Sequence, residues 1–320
     1  MFGRRAEPAP VPPAELMTRL TRRGPHKVLR GDLAFVGVPG QIFTPTSGSG
    51  LPLVVFSHAW MADSHRYRDL LFHLATHGIV AAIPDVERGP APSDAALAAA
   101  LRTALSGLPR VRLGLSESVT VDAGRRAVAG HGFGASAAVL ALGPQVLAGV
   151  EPVPVSSLTA IFPAPTTATA FAAAASVQVP SMVLAAGSHL DTLTNNPLPL
   201  ARELGGDVCL RAIPGATDRA LLQKRSLRSL IGINGADKSV HAAVRALLTG
   251  FVLATAGGND EYAVFGDPEA QLGTAAPVDP DEPDADDRSH VQKLLQGPAT
   301  QKSGSPLTSG VSSIRALRGS

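Results

Sequence analysis

The sequence predicts an α/β fold built on a largely parallel, twisted sheet flanked by helices. Three observations predict it. Short continuous apolar runs such as LPLVVFS and IVAAIPD are typical of strands buried on both faces. Helix-like stretches alternate with those runs, as parallel crossovers require. A chain of 320 residues, 45% of them hydrophobic, is long enough to bury the core of one large domain with tails.

The elements follow in order. Residues 1–27 read as a flexible, basic, Pro-rich arm; within it ELMTRLTRR has the spacing of a short amphipathic helix, against which the flexible arm is the preferred reading. The domain proper is expected over residues 28–274. GDLAFVGV and GQIFTP are two strand-like runs around a Pro-Gly turn, an antiparallel hairpin. LPLVVFS is a buried strand, and SHRYRDLLFHLATHG a helix that ends at Gly78. IVAAIPD is the next strand, followed by the Ala-rich helix of SDAALAAALRTALSGL with Ser93 as its N-cap. RRAVAGHG is a strand and ASAAVLAL a helix. SLTAIFPAP, VPSMVLAAGS and VCLRAIPG are three further strands, and SVHAAVRALLTGFVLA is the closing helix. Residues 275–320 read as a disordered tail, acidic in VDPDEPDADD and basic beyond it, with VQKLLQ and SSIRALRG as short motifs inside.

Composition narrows the function classes. A net charge of +2 gives no global argument for nucleic-acid binding. The single cysteine, Cys209, cannot form an internal disulfide, and it falls inside a strand as a core residue. No Cys/His cluster has zinc-ligand spacing, so neither metal nor other cofactor is expected. No run of about 18 apolar residues predicts a transmembrane helix. The N-terminal MFGRRAEPAPVPPAEL lacks the apolar segment of a secretory signal, so a cytoplasmic location is expected.

The informative stretch is AVAGHGFGA, residues 127–135. An apolar run ends in Gly-x-Gly-x-Gly and a helical segment follows. This is the strand–turn–helix context of a nucleophile elbow, Gly-x-Ser-x-Gly. Here Gly132 stands where the serine belongs.

Taken in order and spacing, VVFSHAW, ATHGIVAAIPD, VDAGRRAVAGHGFGA, VPSMVLAAGSHLDTL and AIPGATD resemble the α/β-hydrolase superfamily over about residues 28–268. The resemblance is to the branch of cutinases, PET hydrolases and dienelactone-hydrolase-like esterases. It implies a serine nucleophile, a histidine base, an orienting acid and two backbone oxyanion donors. Carried over by motif, the acid position is Asp191, in AGSHLDT. The nucleophile position is Gly132, and the histidine position is Asp218, in PGATD. The oxyanion amides are those of Trp60 and Phe133, and Trp60 also matches a substrate-facing aromatic. The partner aromatic would fall near Pro165 and Thr166, where there is none. Two of three triad side chains are therefore absent.

The remaining histidines and serines bear on substitution. His58, His131 and His189 lie at strand C-terminal ends, as do Ser57, Ser64 and Ser188, and Ser188 with His131 is one pairing to weigh. Ser136 should point away from the strand ends. His65, His73 and His77 read as surface or capping residues of the first long helix. Three functions stay open. The first is a protein that has lost hydrolysis and binds a small acyl or carboxylate ligand, or a protein partner. The second is an ester hydrolase with a displaced nucleophile. The third is a structural or regulatory protein acting through its tails.

Overall fold

The computed structural model describes residues 11–187, 190–222 and 235–282, with side chains of the last stretch from Lys238 onward. It is an α/β/α sandwich. The sheet among the described residues has nine strands: β1 Val28–Asp32, β2 Gly40–Pro45, β3 Gly48–Ser57, β4 Val80–Pro84, β5 Val119–His131, β6 Ser157–Ile161, β7 Ser181–Ala186, β8 Val208–Ile213 and β9 Ala276–Val278. Their order is β1-β2-β4-β3-β5-β6-β7-β8-β9. The run from β4 to β8 is parallel, and the outer pairs β1–β2, β2–β4 and β8–β9 are antiparallel.

Among the described residues seven α-helices cover the two faces: α1 Pro13–Thr21, α2 Arg68–Thr76, α3 Asp94–Gly107, α4 Phe133–Leu142, α5 Ala168–Ala174, α6 Pro197–Glu203 and α7 Gly235–Thr255. Side chains of α1, α2 and α7 share one core, and those of α3 to α6 share the other. Strand β5 shows how the sequence divides between them. Val128 joins the α3/α4 core, while Ala127 and Ala129 join the α2/α7 core, as a period of two demands. The chain runs from β3 outward to β4, then crosses back to β5 on the other side of β3. The C-terminal ends of β3 and β5 are thus the topological switch point, where open α/β sheets place ligands.

Several expectations need correction. The arm of residues 1–27 contains a docked helix: α1 buries Leu16, Met17 and Leu20 beside α7. Its apolar stripe outweighs the Pro-rich surroundings, and Pro13 sits at the helix start, where its missing N–H costs nothing. The strand expected over GDLAFVGV is shorter and earlier. β1 ends at Asp32, and Leu33 to Gly37 form a 3-10 turn that Gly37 closes with φ +89°. His73, read as surface or capping, is buried, and its Nε2 donates to the Leu20 carbonyl at 2.9 Å. The boundary at residue 274 is also too early, since β9 pairs with β8 and Arg202 binds the carbonyls of Pro280 and Glu282. The tail motifs VQKLLQ and SSIRALRG lie outside the described residues.

No single helix among the described residues is long and apolar enough to cross a membrane. Cys209 is a buried core residue of β8, as expected, with its thiol against the Gly266 carbonyl at 2.8 Å. Burial pushes that thiol up to about 11.

Candidate functional site

The elbow follows from glycine geometry. A Cβ on Gly130 would sit 2.1 Å from the Gly134 carbonyl oxygen, and one on Gly134 would sit 2.5 Å from the carbonyl oxygens of both Ser57 and His58. The outer glycines are therefore required for β5, α4 and the end of β3 to pack this closely. Gly132 is different. Its φ of +57° and ψ of −122° make it the turning residue and the N-cap of α4, a backbone state that costs an L-residue energy. A Cβ there would meet only Ala59 Cβ, at 3.2 Å. A side chain there would have to accept the positive φ and a tight approach to Ala59, and the position carries none.

Strain also gathers around this turn. Met61 and Phe162, at φ +53° and +44°, follow the C-terminal ends of β3 and β6. Such outliers cluster at functional sites.

Trp60 lies in the loop after β3, half-exposed, with its indole N–H donated to the Pro90 carbonyl at 3.0 Å. Phe133 opens α4 and is partly buried against the α3/α4 core. The backbone N–H groups of Trp60 and Phe133 have no hydrogen-bond acceptor among the described residues. Met61 and Leu193 are exposed apolar side chains in loops at the same end of the sheet.

His131 is the centre of a buried chain of hydrogen bonds. Its Nε2 lies 2.8 Å from the main-chain oxygen of Asp218, and its Nδ1 lies 2.8 Å from the Tyr67 hydroxyl. A carbonyl can only accept, so Nε2 carries the proton and Nδ1 accepts from Tyr67. The Tyr67 oxygen in turn accepts the Ala59 N–H at 2.9 Å. Every donor and acceptor in the chain Ala59–Tyr67–His131–Asp218 has one consistent role. Burial holds the imidazole down to about 4, against a smaller upward pull from the Asp218 carbonyl and carboxylate. It also raises the Tyr67 phenol above its ordinary range.

Of the other named residues, His58, Ser64 and Ser136 are hydrogen-bonded, while the buried Ser57 hydroxyl has no partner among the described residues. The His58 ring nitrogens lie against the carbonyls of Val86 at 2.7 Å and Ala59 at 3.0 Å, tying the β3 loop to the β4 loop. Ser136 is buried in α4, where it accepts the N–H of Thr167, in the loop after β6, at 3.2 Å. Ser64 accepts from Gln41 at 2.6 Å, and Ser57 is buried at the end of β3. Ser188 and His189 lie outside the described residues.

Asp191 sits half-buried in the loop after β7, and Asp218 half-buried in the turn after β8. The residue of the β7 loop whose bond to Asp218 is defined is Asn195, whose amide donates to the Asp218 carboxylate at 2.7 Å. Asn195 is buried and is fixed from behind by Thr192, whose hydroxyl donates to the Asn195 side-chain oxygen at 3.0 Å. Sequence reasoning missed Asn195 and Tyr67. Neither stands in a catalytic motif, although Tyr67 is one of only two tyrosines in the chain. Among the described residues no group of three or more His, Cys, Asp or Glu side chains is placed to hold a metal ion.

Comparison with known proteins adds the family. No curated protein matches the chain. The model of the family described as Chlorophyllase matches residues 33–201, which include the β3 loop, the elbow and the Asp191 loop. The match reaches the α/β-hydrolase superfamily and does not extend to the cutinase and PET-hydrolase branch. A nine-stranded, mostly parallel sheet, an elbow at its switch point and a family match over more than half its length together place this chain in the Chlorophyllase family of α/β-hydrolases.

Proposed function

We propose that this member of the family does not hydrolyse esters and instead holds a small acyl or carboxylate ligand at the elbow. The ligand's oxygen is received by the backbone amides of Trp60 and Phe133. One observation carries the reading: the turning residue of the elbow is Gly132, which has no atom with which to attack a carbonyl. The neighbouring groups support it. His131 is held neutral with both ring nitrogens engaged, so it is poorly placed to take a proton from a nucleophile. Asp218 stands at the histidine position with its carboxylate bound by Asn195. Loss of a triad serine or histidine costs about 10⁶ in rate in a worked serine protease. What survives is the part of the machinery made of main chain, and N–H groups aimed at an open turn favour an oxyanion or carboxylate. The exposed Trp60 and Met61 give the ligand an apolar flank.

The test is steady-state hydrolysis of p-nitrophenyl butyrate by the full chain, paired with binding of butyrate followed through Trp60 fluorescence. Trp60 is the only tryptophan, so its signal reports on this loop. The expected result is a saturable fluorescence change with no turnover above buffer. Saturable turnover that follows the purified protein would overturn the reading.

A further inference from the structure

We propose a second ligand site, at the opposite edge of the sheet from the elbow, that takes a small amphiphilic carboxylate through Arg126. A cleft of about 660 Å³ opens between α3, the 3-10 turn Leu108–Arg110, the start of β5 and residues 149–154. Arg126 lines it from β5, five residues before His131, or about 16 Å along an extended strand. The alternation that sends Val128 into the α3/α4 core sends Arg126 to the same face, toward Thr103 and Ser106 of α3.

Arg126 is under-used. A guanidinium has five N–H donors. The one bond defined for this one is a long contact from Nη1 to the Leu105 carbonyl, at 3.3 Å. Its Nε is buried with no partner among the described residues. The neighbouring arginines differ. Arg102 binds five main-chain carbonyls, and Arg125 on the other face binds three. Arg110 lines the same cleft and forms no ion pair among the described residues. Two arginines thus face one cleft whose single lining carboxylate is Glu151, and Glu151 is exposed. The long Leu105 contact leaves most of the Nη donors of Arg126 for a ligand, and an anion in the cleft would pair the charge that the fold leaves without a carboxylate among the described residues. A planar carboxylate suits the guanidinium fork. Beyond Thr103 and Ser106 the wall is largely apolar, with Pro109, Val150 and Val153, so the carboxylate should carry a short hydrocarbon chain.

The experiment is titration calorimetry of the full chain with octanoate, with octanol and inorganic phosphate as controls. Octanoate is expected to bind with a saturable component that octanol and phosphate lack. Arg126→Met should weaken that component about tenfold or more, the scale of a lost charged hydrogen bond. Glu151→Gln, at an exposed position that leaves the fold undisturbed, should tighten it about two- to five-fold at low salt by removing a like charge. Trp60→Ala should leave it unchanged, which separates it from any binding at the elbow. The proposal is overturned if octanol or phosphate binds as well as octanoate, if Glu151→Gln has no effect, or if Trp60→Ala abolishes the component.

Discussion

The His131 imidazole donates to the main-chain carbonyl of Asp218 at 2.8 Å. This one bond links the last residue of β5, just before the elbow, to the turn after β8. It is the main chain at position 218, and not its side chain, that is held to the elbow by this bond. The frame of the site is kept by buried main-chain and histidine contacts that do not depend on which side chains perform the chemistry.

Burial of the same imidazole makes stability pH-dependent. The folded imidazole is held at about 4 against an ordinary 6.5, chiefly by burial. Between those values the unfolded chain binds a proton that the folded chain refuses. The contribution of His131 is therefore fully present above about pH 6.5, falls as the pH drops toward about 4, and levels off below. The full loss is about 3 kcal/mol. His73, held down to about 3 by burial and by neighbouring His77, adds a loss of the same sign that extends to lower pH. Denaturant midpoints measured from about pH 7 down to about pH 4.5 should fall for the natural chain and fall less steeply for His131→Phe.

Arg102 is fully buried and has no carboxylate partner among the described residues. It binds the carbonyls of Leu140, Ala141, Gly143, Gln145 and Val150. A cation at the C-terminal end of α4 complements both the helix dipole and its unpaired carbonyls. Arg102→Met keeps most of the volume and removes every donor. It should cost about 3–5 kcal/mol, read as a lowered denaturant midpoint with an unchanged slope.

Helix α1 is part of the domain. Removing residues 1–22 would uncover the α7 surface beneath Leu16, Met17 and Leu20, break the Arg19–Glu261 ion pair and leave His73 without its acceptor. Three buried side chains alone set the loss at about 4–6 kcal/mol as an upper figure. A thermal melt of the truncated chain should show a markedly lower midpoint than that of the full chain.

Gly132→Ala tests the elbow itself. Alanine must take φ +57° and bring its Cβ to 3.2 Å from Ala59. The expected cost is about 1–3 kcal/mol, while the same substitution at exposed Gly149 lacks the contact with Ala59 and should cost less. Chemical denaturation of the two variants side by side gives the comparison.

The parallel strands, α3 with its Ser93 cap, and the glycine pattern of the elbow were legible in the sequence because each has a local signal. Continuous apolar runs mark buried strands, and the Ser93 hydroxyl does accept the Ala96 N–H at 3.1 Å. What escaped was non-local. Helices α5 and α6 are seven residues each, too short for a clear period. α1 is stable because α7 covers it, a partner more than 200 residues away. β9 is three residues long and exists through pairing with β8. At the site, the motif pointed to Gly132 as the turning residue, which the backbone bears out. The bonds that hold Asp218, through His131 with Tyr67 and through Asn195, come from side chains brought together only by the fold.

If the elbow carries no activated nucleophile, a probe for activated serines finds nothing there to label. The most direct test is intact-mass analysis of the purified chain after incubation with a fluorophosphonate probe, which captures activated serines. The account predicts no mass adduct on the natural protein. A stoichiometric single adduct, mapped by peptide analysis to any serine at the C-terminal edge of the sheet, would contradict it.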